Sequence, residues 1–203
     1  MARSGGHRDI VQYLTNPPAL PARTSGMGHP PKRYLLFFSY AQKDTVTETS
    51  RLNEAATQRF PQAEFFHEKT SKLSELVGHV QEANNVVVLL SGNYPKRAFT
   101  LVELHFALKS GARVCGVKVT RPGMEPFDFE AVRADIKSGK IKDYLSEDGW
   151  DTLGEYGITV EEVSKDLETV MNTAASPLSF KSSSRVQNAQ IEDILDRIYV
   201  PGG

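Results

Sequence analysis

The stretch YPKRAFTLVELHFALKSG, residues 94–111, reads as a helix, with Pro95 near its start and Gly111 just past its end. Most of it is apolar, yet one carboxylate, Glu103, sits in the middle. On a helix Glu103 neighbours Phe99, Thr100, Phe106 and Ala107. A glutamate among such side chains is partly desolvated, and its charged form is disfavoured unless a cation or a hydrogen-bond donor compensates. Its chemistry would be to stabilise positive charge developing on a bound molecule in a dry pocket. The other reading is an acid on a helix surface facing water.

Other chemistries find little support. The stretch after the first apolar run, FFSYAQKD, contains no glycine, which argues against a phosphate-binding loop or a dinucleotide-fold dehydrogenase. The five histidines, at 7, 29, 67, 79 and 105, show no metal-ligand spacing with one another or with Cys115, so no metal is expected. Cys115 lies in an apolar strand and reads as inert core. Ser39 is not in a nucleophile elbow. No basic patch interleaved with aromatics points to nucleic acid.

Composition sets the class. The chain has 203 residues, of which 39% are hydrophobic and 24% charged, a globular balance. The net charge is −1, so no global field draws it to nucleic acid or to an anionic membrane. A single cysteine excludes an intrachain disulfide and suits a reducing compartment; the cytoplasm is the expected location. Apolar runs such as 86–90 are too short to span a bilayer, and the N-terminus lacks the apolar block of a signal peptide. Its basic residues, Arg3, Arg8, Arg23, Lys32 and Arg33, fit a flexible tail or an organellar address.

The elements that must position Glu103 follow from pattern. Residues 1–32, rich in Pro and Gly, read as a tail with a short helix at HRDIVQYL. The unbroken apolar run Tyr34 to Phe38 suits a strand covered on both faces. Asp44 is expected to cap a helix over 45–60, and AEFFHE at 63–68 to form a second strand. SKLSELVGHVQEA reads as a helix, NVVVLLSG as the strongest strand and RVCGVKV as a further one. A weak strand is expected at 142–145. A capping box, Thr159 with Glu162, opens a helix. The expected domain covers 33–175, followed by a Ser-rich linker at 176–189 and a short helix in 190–203, with Ile191, Ile194, Leu195 and Ile198 docked on the domain. Strands alternating with helices predict an α/β fold: a flavodoxin-like, doubly wound, five-stranded parallel sheet with helices on both faces. Ligand sites in such sheets lie beyond the carboxyl ends of the strands, where strand order reverses.

Taken together, YLLFFSYAQKD and NVVVLLSGNYPKRAFTLVELHFAL resemble the Toll/interleukin-1 receptor (TIR) domain family over residues 33–120. Phe37, Phe38, Ser39, Tyr40 and Asp44 match the motif ending the family's first strand. Ser91, Asn93 and Tyr94 match the motif after its third, and Phe99, Thr100, Glu103 and Leu104 match its Trp-Cys-x-x-Glu-Leu helix. The resemblance implies the TIR fold and makes Glu103 the catalytic residue of an NAD+-cleaving enzyme acting in immune or cell-death signalling. NAD+ would be substrate and no cofactor is implied. It also implies a substrate site formed by Ser39, Tyr40, Phe66, His67, Ser91, Tyr94, Phe99 and Thr100, and association with other TIR domains or copies of itself. The product would be ADP-ribose, or its cyclic form where water is excluded. The segment between the second strand and its helix is shorter than the family's and lacks an early glycine, which suits the alternative, a non-enzymatic module acting through TIR–TIR contacts.

Overall fold

The computed structural model describes residues 32–66, 72–173 and 176–202. The expected tail, apart from Lys32, lies outside these residues, as does His67.

The sheet has four parallel strands in the order β1 (Tyr34–Tyr40), β2 (Ala83–Leu90), β3 (Arg113–Thr120) and β4 (Ser176–Ser179). The apolar run of β1 does lie between two layers. Tyr34 and Phe37 join one core, whereas Leu35, Leu36 and Phe38 join the other. β2 divides in the same way, with Val86, Val88 and Leu90 on one face and Val87 and Leu89 on the other. The first face is covered by α2 (Leu73–Gln81), α3 (Ala98–Lys109), α4 (Phe129–Ser138), α5 (Glu147–Glu155) and α6 (Val160–Asn172). The second is covered by α1 (Gln42–Arg59) and α7 (Ser184–Leu195). This is the expected doubly wound arrangement.

Three expected elements differ. The segment 63–66 makes a single parallel bridge, Leu36 with Phe65, and Leu35 N–H donates to the Glu64 carbonyl at 2.9 Å. Among the described residues the expected fifth strand is this edge contact beside β1. Residues 140–143 form a 3₁₀ turn instead of a weak strand, because Gly139 ends α4 in the left-handed region, φ 75°. The last paired strand comes from the supposed linker. Ser176 and Leu178 of β4 turn inward, and Leu178 is wholly buried against β3. One apolar side chain in a serine-rich stretch is too faint a pattern to read. The last helix also begins earlier than expected, at Ser184, and Ile191, Ile194, Leu195 and Ile198 are buried against the domain.

The capping box forms as expected: Thr159 N–H donates to Glu162, and Glu162 N–H donates to Thr159 Oγ1. Trp150 is a packing anchor whose Nε1–H donates to the Lys142 carbonyl at 2.7 Å.

The C-terminus is held by a buried amide on β2. Asn85 donates through Nδ2 to the Leu35 and Tyr199 carbonyls, each at 2.8 Å, and accepts from Tyr199 N–H at 2.8 Å. Asn85→Ala removes three bonds at a buried position and is expected to destabilise the fold by roughly 2–3 kcal/mol. Urea unfolding checks this; an unchanged midpoint would show that the C-terminal segment contributes nothing to the cooperative unit.

Candidate active site

With the 63–66 segment on the free edge of β1, the chain winds one way from β1 and then the other way to β2. Strand order therefore reverses between β1 and β2. The carboxyl end of β1 delivers Ser39 and Tyr40, and that of β2 leads into Ser91. A 3₁₀ turn at Tyr94–Lys96, with Pro95 fixing its second φ, redirects the chain into α3. α3 is apolar on almost every side and lies against α2, α5, α6 and the sheet. Glu103, in its second turn, is carried back to the end of β1 and is 8% exposed.

The Ser39 hydroxyl donates to Glu103 Oε2 at 2.5 Å. Ser39 Oγ also lies 2.8 Å from the Tyr94 hydroxyl, which donates to the Thr100 carbonyl at 3.1 Å. Thr100 Oγ1 turns back onto the carbonyls of Tyr94, at 2.6 Å, and Arg97, at 2.8 Å, closing the turn. Loss of solvent pushes the Glu103 carboxyl up to about 8, and the bond from Ser39 pulls it part of the way back. Burial, and next the nearby Glu103, raise the phenols of Tyr40 and Tyr94; Ser39 lowers the second again. Near neutral pH Glu103 therefore holds its proton in the empty site. Ser39 is the donor to the ionised carboxylate, and this is why its bond favours that form. Ser39→Ala removes the one hydroxyl favouring the carboxylate and is expected to move the Glu103 titration to higher pH. Carbon-detected NMR of the carboxyl measures it, and a shift downward would show that Ser39 does not support the ionised form.

Glu103 lines a cavity of about 690 Å³, within the usual range for small-molecule sites. Phe66, Phe99, Thr100 and Tyr40 also border it. Phe66 is fixed by stacking on Phe37, at 5.4 Å between centroids, and on His79, at 4.1 Å. Phe99 stands at the rim, 44% exposed. The other expected substrate contacts fall elsewhere. Ser39, Ser91 and Tyr94 have no accessible surface, so the first and last act behind Glu103 and none of the three meets a ligand in this conformation. Ser91 Oγ–H instead donates to Asp44 at 2.6 Å, joined by the Asn93 amide at 3.1 Å. Asp44 is thus a tie between α1 and the end of β2 and not the expected helix cap; Ala41 holds that position and the helix is kinked at Thr45. His67, expected at the rim, is outside the described residues. His105, Nδ1 2.8 Å from the Asp166 carboxylate, ties α3 to α6. Among the described residues no group of three or more acids, histidines or cysteines is placed to hold a metal, and no helix is long and apolar enough to cross a membrane.

Two cavity residues escape a reading by motif, Lys43 and Arg97. Lys43 is three residues beyond Tyr40 and Arg97 is at the N-cap of α3. Only the fold brings them to the space that Glu103 faces.

No protein-family model and no curated protein matches the sequence. Among solved structures, the chain is similar to the TIR domains of the activated Roq1 resistosome directly recognizing the pathogen effector XopQ. The TM-score is 0.53 at 19% identity, and the match covers 81% of this chain and 98% of that one. The order of strands, the two helical layers and this similarity establish that the chain has the fold of a TIR domain.

Proposed function

We propose that this chain is a TIR-fold signalling protein that cleaves NAD+ between ribose and nicotinamide, with Glu103 as its catalytic residue. The observation that carries this reading is a carboxyl buried among apolar groups, facing a cavity at the point where strand order reverses.

In the reaction the bond from ribose C1′ to the pyridine nitrogen breaks, and its electron pair neutralises the departing nicotinamide. Positive charge develops on the ribose, as in glycoside cleavage. Ionised Glu103 stabilises that charge and accepts from the ribose hydroxyls. A cationic substrate favours the ionised carboxyl, so binding expels the proton that Glu103 holds in the empty site. Water then adds at C1′ and gives up a proton, completing ADP-ribose; attack by the adenine ring instead closes the cyclic product. Phe99 and Phe66 wall the pocket and limit water. Tyr40 lies at the mouth, and Ser39, Tyr94 and Thr100 hold the carboxyl in place.

The Roq1 structure is a resistosome, which supports association between copies of this chain as part of the proposal; a cytoplasmic location is proposed with it. It also supports the second reading, a binding module without turnover. NAD+ loss at high protein concentration, with products separated by chromatography, decides between them. Accumulation of nicotinamide with ADP-ribose or its cyclic form is the expected result; none, even in assemblies, would leave the binding module.

A further inference from the structure

Residues 121–127, between β3 and α4, cross the carboxyl end of the sheet from one layer to the other. Met124 packs on the second core and Phe127 is buried in the first. Between them Pro126 bridges Ser91, and the Glu125 carbonyl accepts from Gly92 N–H at 2.9 Å. The approach is close: a Cβ on Gly92 would stand 2.7 Å from the Glu125 side chain. The segment starts in a turn. Met124 N–H donates to the Arg121 carbonyl at 3.4 Å, with Pro122 in the second position and Gly123, φ 76°, in the third. That turn presents Arg121 to α1.

On α1 the stripe of Leu52 and Ala56, which enters the second core, continues toward the helix start as Glu48 and Thr45. Neither Glu48 nor Thr45 has accessible surface. Among the described residues both Glu48 carboxyl oxygens and Thr45 Oγ1 lack a hydrogen-bond partner. Arg121 faces the carboxylate, its Nη1 3.7 Å from Glu48 Oε1, and its side chain is 33% exposed. That distance is too long for a hydrogen bond, by about 1 Å against a charge-assisted one. A buried carboxylate without donors is among the costliest groups a fold can carry, and the donor that would satisfy it stands half outside.

We propose that residues 121–127 form a strap with a charge catch: the Arg121 guanidinium swings inward to donate to both Glu48 oxygens, and closure fixes α1 against the segment that leads into α3. The inward state gains a bidentate pair, whereas the outward state keeps the guanidinium hydrated, so the two compete. The strap transmits closure because it lies on Ser91 and Gly92, and Glu125 pairs with Lys96 at 3.4 Å. Ser91 and Asn93 in turn hold Asp44. With the catch closed, α1 is held on both sides of its kink at Thr45, by Asp44 before it and Glu48 after it. Residues of α1 and of the start of α3 line the cavity in front of Glu103, so the strap sets the distance between two of its walls, whichever molecule the cavity takes.

NMR of the full chain tests this with Arg121→Met, Glu48→Met and the double variant. In wild type the Arg121 guanidinium nitrogens should give separate, slowly rotating signals; in Glu48→Met they should average. Arg121→Met leaves the carboxylate unpaired and should lower the urea midpoint or prevent folding, whereas the double variant, with neither charge, should recover it. The strap has a signature that stability alone would not give. The Gly92 and Thr45 amide protons, bonded to the Glu125 and Ala41 carbonyls, should exchange about tenfold faster in the double variant than in wild type, because the catch is missing although stability has returned. Averaged guanidinium signals in wild type, or a double variant no more stable than Arg121→Met, would overturn the proposal. So would wild-type exchange at Gly92 and Thr45 in the double variant, which would reduce the pair to a local contact.

Discussion

Glu103→Gln is expected to reduce NAD+ cleavage about 10³-fold or more while leaving the fold intact. Glutamine has nearly the same shape and its amide oxygen still accepts from Ser39, so the contact at 2.5 Å is replaceable. What the variant lacks is negative charge at the developing cation, in a site where low solvent access makes each charge count. The same carboxyl sets the pH dependence. The free enzyme must lose the Glu103 proton to act, and that group is pushed up to about 8. The value of kcat/KM should therefore fall tenfold per pH unit below about pH 8, whereas kcat, which reports the complex, should hold to lower pH because the bound cation favours the ionised form. Equal NAD+ loss in wild type and Glu103→Gln would remove Glu103 from the chemistry.

The second large effect is on stability. In the unfolded chain Glu103 titrates near 4.5; in the fold it is pushed up to about 8 because burial disfavours its charge. Between those values the native state keeps a proton that the unfolded state has released. Stability from this group is complete below about pH 4.5 and is lost as pH rises, at about 1.4 kcal/mol per unit, until the folded carboxyl also ionises near pH 8. The total is on the order of 5 kcal/mol, a large share of a domain's stability. Glu103→Gln has no such proton to lose. Denaturation of the two proteins from pH 4 to 9 should give curves that diverge through this window, with the variant gaining relative to wild type toward high pH. Other titrating groups are common to both and cancel in the difference. Parallel curves would mean that Glu103 is solvated in the native protein. The gain on removing a charge from a site built to hold one is the usual opposition between stability and function.

The sequence alone determined the layers and the acid. β1 and β2 are apolar without alternation, which is possible only for strands covered on both faces, and both cores are found there. The Gly111 stop after α3 and the capping box of α6 are local and were legible for that reason, whereas Pro95, expected at the start of α3, sits in the 3₁₀ turn before it. Glu103 stood out because its helical neighbours are apolar, and i to i+4 relations do not depend on the rest of the fold. Tertiary structure decided what local pattern cannot carry. β4 exists because β3 offers it an edge, and Leu178 has a core to enter. Asp44 looks like a cap in sequence, yet Ser91 and Asn93, 47 and 49 residues away, claim its carboxylate. Ser39 and Tyr94 are expected from their motifs to touch substrate, but the fold buries them behind Glu103, where the Ser39 hydroxyl favours its ionised form. Lys43 and Arg97 are unremarkable cations until the end of β1 and the start of α3 bring them to one cavity. Side-chain type and short-range periodicity are written along the chain; which groups share a solvent-poor space depends on long-range closure of the sheet, and that alone fixes charge state and contact.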